Sequence, residues 1–289
     1  MYDVLCYGAL CADTLIRVPR FPAPGEGVRA LSEVMVAGGN AMNEARCLAA
    51  WGERVALMGD HLGDDAEGAL LTETSMGDPN LDASYIQHSP GWPTPRCRII
   101  VTPDGQRTVL AVRGEQHPFT PPPLALLERC RVVSVGFFGA GTLTAAHAAR
   151  DAGSLLLAGD ALLPGDARAP LADVIVGSAA TLRAALPGAD IREQMRRLQE
   201  PRGAAVVLSD GPAHALALVG DEWLEARPPA ITPLDTNGAG DCFRAAVARG
   251  LARRWEWPRT LRWAAAAGAA WCLNMNNEPP SVEEVERLL

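Results

Sequence analysis

The stretch PLDTNGAGDCFRAA, from Pro233 to Ala246, sets two glycines and two aspartates directly ahead of an alanine-rich run. A helix that begins just after Asn237 presents the backbone N–H groups of Gly238, Ala239 and Gly240 at its amino end, where the helix dipole is positive. That is an anion site, and glycine lets a phosphoryl oxygen approach the backbone without meeting a Cβ. Asp241 then falls on the first turn beside the anion, where a carboxylate is repelled unless it has a task. Taking a proton from an attacking hydroxyl is such a task. Backbone donors for a transferred charge and a carboxylate beside the nucleophile are the parts of phosphoryl transfer, with Mg²⁺ carried on the nucleotide. The structural alternative is that Asp235 and Thr236 cap the helix, the glycines relieve a tight turn, and Asp241 merely favours the dipole.

The chain around this stretch has 289 residues, 48% of them hydrophobic, enough for one large α/β domain or two small ones. A formal net charge of −8 argues against nucleic acid and against an anionic membrane surface as partners, and toward a small molecule. All 26 basic residues are arginine, which removes the P-loop lysine and every Schiff-base mechanism. The seven cysteines, at 6, 11, 47, 97, 130, 242 and 272, form no CxxC pair and no ligand-like cluster, as expected for reduced thiols in the cytoplasm. No side-chain metal site is expected. The amino-terminal run MYDVLCYGALCADTLIRV has no basic start and no cleavage-like site, and reads as a first strand. No uninterrupted apolar run approaches the eighteen or so residues that cross a bilayer.

Strand-length apolar runs alternate with helix-period segments: VLCYGAL, RVALMG, RVVSVG, SLLLAG, DVIVG and AAVVLS each precede a turn and an amphipathic stretch. Strands apolar on both faces suit a doubly wound, mostly parallel sheet flanked by helices, here one α/β domain over residues 1–289. Segments 15–36 and 94–113 break the alternation with extended runs around APGEG and PDG, and are expected to form an inserted small β lid. The carboxyl end carries a capping box, Ser281 with Glu284.

DTNGAGDCF resembles the carboxyl-terminal signature of the PfkB, or ribokinase-like, carbohydrate kinases. AGGNAMNEARCLAAWG, residues 37–52, resembles that family's second signature and reads as a glycine turn and a helix with Ala41, Ala45, Leu48 and Ala49 inward, ended by Gly52. GALCADTLIRVPRFPAPGEGV resembles the family's first strand, and the hairpin VTPDGQRTVLAVRG is similar to its lid. The resemblance implies an ATP-dependent sugar kinase with a ribokinase-like fold. Asp241 would be the general base and the Gly238, Ala239 and Gly240 amides the anion hole. Asp13, Gly38, Gly39, Asn40 and Asn43 would meet the sugar, with Arg107 reaching over it from the lid. Ser209, Asp210 and Gly211 would contact ATP, while Asp235 and Thr236 support the nucleotide and Mg²⁺ bridges its phosphates. A homodimer through the lid is consistent with such a hairpin.

The chain departs from the family in placing Ser178 and Thr181 where an asparagine and a glutamate commonly organise the hydrated metal. LNMNNEPP lacks the usual glycine near the carboxyl end, and GGNAMN tilts the substrate toward a ketose. Arg96, Arg98 and Arg113 could instead meet an anionic sugar. Two other classes stay open on sequence grounds. Gly136, Gly139 and Gly141 followed by Asp160 suggest a nicotinamide-dependent oxidoreductase, although their spacing is G-x-x-G-x-G. Ser178 and Thr181 also suit a non-catalytic sugar or nucleotide sensor.

Overall fold

The structure, a computed structural model, describes residues 1–112, 117–136, 141–160 and 163–289. Nine strands make the main sheet: β1 (Tyr2–Gly8), β4 (Val55–Gly59), β5 (Leu81–Asp82), β8 (Cys130–Val135), β9 (Leu155–Gly159), β10 (Val174–Ser178), β11 (Ala205–Asp210), β12 (His214–Val219) and β13 (Glu222–Ala226). Their order is β13-β12-β11-β10-β9-β8-β1-β4-β5, parallel from β5 to β11 and antiparallel at the β11-β12-β13 edge. A second sheet contains β2 (Cys11–Arg17), β3 (Ser32–Gly38), β6 (Arg96–Val101) and β7 (Arg107–Val112), in the order β3-β2-β6-β7. The helices are α1 (Asn40–Ala50), α2 (Ala66–Met76), α3 (Leu124–Leu127), α4 (Gly141–Asp151), α5 (Ala179–Ala185), α6 (Ile191–Gln199), α7 (Ala239–Ala252), α8 (Trp257–Trp271) and α9 (Val282–Glu286). None of the described helices is long and apolar enough to cross a membrane.

The strand pleat explains why both faces of the main sheet are apolar. Val4 and Cys6 of β1, Val55 and Leu57 of β4, and Ala205 and Val207 of β11 turn to one core, beneath α1, α7 and α8. Their alternates go to the other face: Leu5, Tyr7, Ala56 and Met58 meet α3 and α4. Val206 and Leu208 meet Leu182 of α5 and Met195 and Leu198 of α6. Helices on both faces are what a parallel sheet requires. The helix over 40–50 is as expected, with Ala41, Ala45, Leu48 and Ala49 buried and Gly52 at φ +81° behind it. The Ser281–Glu284 capping box forms at α9.

The apolar run over residues 1–18 is not a single strand. It divides at Ala9–Leu10, so that β1 serves the main sheet and β2 the small one, with Asp13 on β2. The Asn40 side chain accepts from the Ala9 N–H at 2.9 Å, satisfying a backbone donor at the break. The small sheet therefore starts at Cys11, four residues before the expected 15.

Parallel β1 and β4 approach closely at their ends: a Cβ on Gly59 would lie 1.9 Å from the Gly8 carbonyl oxygen. Backbone cannot yield as a flexible side chain can. Gly59→Ala should lower the unfolding free energy by about 1–3 kcal/mol, read as a reduced denaturant midpoint. An unchanged midpoint would show that this contact carries no such constraint.

Candidate active site

The chain passes from β1 outward to β4 and β5, then returns to β8 on the other side of β1, so the strand order reverses between β1 and β8. Such a switch point leaves a crevice at the carboxyl ends of the strands. Gly8 ends β1 and Gly136 follows β8, and a Cβ on either would strike the Asn40 side chain, at 2.5 and 2.6 Å from Oδ1. Gly39, at φ +92°, turns the chain from β3 into α1. The amino ends of α1 and α7 thereby face each other across the crevice, joined by side chains.

Gly238 caps α7 in the left-handed conformation, φ +81°, with Trp271 against the position its Cβ would take. A Cβ on Gly240 would meet nothing within 4 Å, so the space before it is open. The Ala239 N–H donates to the Thr236 carbonyl at 3.4 Å, while the first-turn amides of Gly240 and Asp241 have no carbonyl four residues back within α7, which leaves them as donors for a bound group. Asp241 follows with its side chain 17% exposed. Asn43 Nδ2 donates to Asp241 Oδ2 at 2.8 Å, while Asn43 Oδ1 is buried without a partner among the described residues.

Arg244, one turn on and 1% exposed, anchors the crevice floor. Nε donates to Glu44 Oε2 at 2.9 Å, Nη2 donates to the Asn40 carbonyl at 3.0 Å, and Nη1 donates to Asp160 Oδ2. Asp241 Oδ1 lies 3.8 Å from Nη2. Asn40 Nδ2 also donates to Asp160, at 2.9 Å. Burial by itself would discharge the guanidinium, but Asp160, Glu44 and Asp241 outweigh it and hold its pKa well above the ordinary range. Burial also raises Asp241, to about 7; Arg244 opposes the rise, Asp160 and Glu44 add to it, and the Asn43 hydrogen bond lowers it. Glu44 is raised by burial against the pull of Arg244.

Asp13 occupies the other end, 4% exposed, with the Gly38 backbone so close that a Cβ there would fall 2.1 Å from Asp13 Oδ2. Asn277 Nδ2 donates to that oxygen at 3.1 Å, and Asn237 Nδ2 donates to Asn277 Oδ1 at 3.0 Å. An amide relay thus joins Asp13 to the residue before Gly238. Asn276 and Asn277 both hold positive φ, 60° and 56°. Asparagine tolerates this conformation, which accounts for the missing glycine of LNMNNEPP. Burial raises the Asp13 pKa to about 6, opposed by hydrogen bonds from Cys11, Asn277, Cys97 and Asn237.

The small sheet touches the DTNGAGD loop directly. Arg17 of β2 pairs with Asp235 at 3.3 Å, and Asp235 Oδ1 accepts from the Asn237 N–H. Arg107 donates to Thr236 Oγ1 at 3.1 Å, and that hydroxyl donates to the Gly105 carbonyl in the β6–β7 turn. Asp235 and Thr236 therefore tie the small sheet to the loop. Of the other arginines, Arg96 pairs with Glu67 and Arg98 donates to Thr14; Arg113 lies outside the described residues. Ser209, Asp210 and Gly211 sit together at the end of β11, where Arg183 grips both Asp210 oxygens at 2.6 and 2.7 Å. Ser178 caps α5, and Thr181 lies within it.

Glu44, Arg244, Asn237 and Asn277 belong to the crevice although the motifs did not mark them, and so does Asp160, which the sequence pattern had marked only as the acid of a dinucleotide fold. An arginine and a glutamate amid alanine-rich helices, GDCFRAA and NEARCLAA, were the available signal: a charge on a core-facing position must have a partner. The expectation that no cysteines cluster is also corrected. Cys11 and Cys97 meet beside Asp13, brought together by β2–β6 pairing across 86 residues. The dinucleotide reading finds no support, because Asp160 faces Arg244 and Asn40; Gly139 lies outside the described residues. Cys242 is buried with its thiol pushed up by burial, a packing residue.

Comparison with known proteins bears on this geometry. A family model described as pfkB family carbohydrate kinase matches residues 1–283. A ribokinase of Arabidopsis thaliana is 25% identical over 311 aligned positions, spanning 98% of this chain and 79% of the relative. The structure of Arabidopsis thaliana ribokinase complexed with ribose and ATP gives a TM-score of 0.82 at 21% identity, covering 99% of this chain and 98% of that one. A microbiome-derived acarbose kinase gives 0.82 at 26% identity, covering 100% of this chain and 99% of its own.

A carboxyl whose pKa rises on folding keeps its proton where the unfolded chain has lost it, so stability falls as pH rises from about 4 through the folded value. For Asp13, with a folded value of about 6, the fall should amount to about 2–3 kcal/mol, complete by pH 7. Asp13→Asn should flatten that part of the stability curve between pH 4 and 7, measured by urea melts. An identical slope in the variant would refute the assignment.

Proposed function

The chain belongs to the pfkB family of carbohydrate kinases, and from that premise we propose that it transfers the γ-phosphoryl group of ATP to a hydroxyl of a ketose or related sugar, with Asp241 as general base. ATP-dependent phosphorylation is the chemistry of the family; the acceptor and the residue roles are the proposed part. One observation carries the reading: Asp241 sits on the first turn of α7, next to the open face of Gly240, held by Asn43 and Arg244 and raised to about 7. A base poised near working pH takes a hydroxyl proton without holding it too tightly.

The amides at Gly238, Ala239 and Gly240 receive the charge on the transferring group. Asn43 Oδ1, lacking a donor among the described residues, is satisfied by a sugar hydroxyl, and Asp13 accepts from another beside Gly38 and Gly39, where a Cβ would crowd the carboxylate and the Ala9 carbonyl. The Asn40 side-chain oxygen accepts from the Ala9 N–H and one amide hydrogen goes to Asp160, leaving the other amide hydrogen for the sugar. Ser209 and Gly211 meet the nucleotide, with Asp210 fixed by Arg183. The small sheet is the lid, Arg107 lying over the sugar and phosphates and excluding water when the site closes.

Mg²⁺ on the nucleotide neutralises phosphate charge. The donor set fits an ion that keeps its waters and travels with ATP: Ser178 is spent on the α5 cap, Thr181 adds no carboxylate, and Asp160 is engaged by Arg244 and Asn40. Exposed Val34, Val109, Leu110 and Val112 on the lid strands suit pairing of two lids into a homodimer. The cytoplasm, where ATP and reduced thiols are found, is the proposed compartment.

Asp241→Asn should lower turnover about a hundred- to ten-thousandfold while sugar and ATP still bind. A phosphorylation screen with ATP and Mg²⁺ across ketoses, aldoses, sugar acids and nucleosides supplies the acceptor for that assay; undiminished turnover in the variant would sink the base assignment. Because the base works ionised, kcat should rise with pH through about 7. Arg244→Met removes the cation that favours ionised Asp241, so the rising limb should move to higher pH, with Arg244→Lys displaced less. A limb that stays put in Arg244→Met would remove the guanidinium from any part in setting the base.

A further inference from the structure

Cys11 and Cys97 stand on adjacent strands with their sulfurs 3.2 Å apart, and one ligand atom from each of Cys11, Asp13 and Cys97 lies within 4.8 Å of the other two. Register explains the convergence. In the parallel pairing of β2 with β6, Asp13 is opposite Cys97, and Cys11 precedes Asp13 by two, so all three side chains leave the same face. Cys11 and Asp13 are buried and Cys97 is partly exposed, which gives the cluster a route to solvent.

We propose that Cys11, Asp13 and Cys97 form a three-ligand site for a thiophilic divalent cation, Zn²⁺ being the probe, and that its occupation competes with sugar for Asp13. The competition rests on the sugar-binding role proposed for Asp13. Two sulfurs and a carboxylate oxygen are a zinc donor set, and three protein ligands leave the fourth position open. Zinc–sulfur bonds of about 2.3 Å at a tetrahedral angle hold two sulfurs ~3.8 Å apart, so the thiols need to part by only about half an ångström. Asn277, donating to one Asp13 oxygen, orients the carboxylate and leaves the other oxygen to the metal. Mg²⁺ prefers oxygen donors and does not compete for thiolates, so nucleotide-bound magnesium and this site are chemically separate. Loading converts two thiols and Zn²⁺ into a zinc bis-thiolate and two released protons. Because each thiol sheds a proton on loading, binding strengthens as pH rises.

The test uses the full chain, stripped with a chelator and kept reduced by a phosphine. Co²⁺ titration should give one equivalent with a thiolate-to-cobalt charge-transfer band that Zn²⁺ abolishes. Cys97→Ser and Cys11→Ser should each weaken zinc binding by at least about a hundredfold. Saturating the best sugar of the phosphorylation screen should weaken zinc binding, and zinc should raise the KM for sugar while leaving that for ATP unchanged. Absence of the thiolate band, or equal zinc affinity in wild type and Cys97→Ser, overturns the metal site. Zinc affinity indifferent to sugar overturns the competition. Asp13→Asn, assayed with Mg-ATP in zinc-free buffer, separates the two readings. Loss of sugar binding there upholds the role of Asp13 whatever zinc does, and intact sugar binding removes both that role and the competition.

Discussion

One guanidinium buried among three carboxyl groups governs the centre of this protein. Arg244 is at 1% exposure, and Glu44, Asp160 and Asp241 surround it from α1, the end of β9 and its own helix. Removing one partner from a buried ion pair typically costs about 3–5 kcal/mol, because the charge left behind has neither water nor counter-ion. The packing of α1 against α7 is therefore electrostatically conditional. The same charge, with the Asn43 hydrogen bond, is also why Asp241 can ionise near neutrality although Asp160 and Glu44 lie close by.

The main sheet was legible because its physics is local. Six apolar runs of strand length, each followed by a turn, imply two covered faces, and the alternation of Leu5 and Tyr7 with Val4 and Cys6 bears this out. The glycine-rich start of α7 was legible for a similar reason, since the conformational freedom of glycine acts within a few residues, and Gly238 does cap that helix in the left-handed conformation. What could not be read was which individual side chains of distant segments would meet. Arg244 looks like an ordinary surface residue of an alanine-rich helix until Glu44 is placed opposite, and Cys11 and Cys97 look unrelated until β2 pairs with β6. The division of residues 1–18 into two strands was hidden too, because every residue of the run suits a strand and only the Asn40 contact marks the break.

The small sheet is bound to the loop by contacts that reach the backbone around Asp241. Arg17 holds Asp235, whose other oxygen accepts from the Asn237 N–H; Gly105 and Arg107 converge on Thr236. A displacement of β2 or of the β6–β7 turn thus bears on the residues immediately before the cap of α7. Position of the small sheet and shape of the glycine-rich loop are coupled by charge and hydrogen bonding.

The relay from Asp13 through Asn277 to Asn237 has a bearing on how the molecule is made. Asp13 and Asn277 are separated by 264 positions. At ribosomal speeds of about 5–20 residues per second, Asp13 emerges roughly tens of seconds before its partner exists. Through that interval β2 carries a carboxyl group with no donor from Asn277, and the end of the crevice at Asp13 stays unfinished. Completion waits for Asn277, so a nascent protein that has not yet reached that residue can build most of the sheet while the crevice at Asp13 remains open.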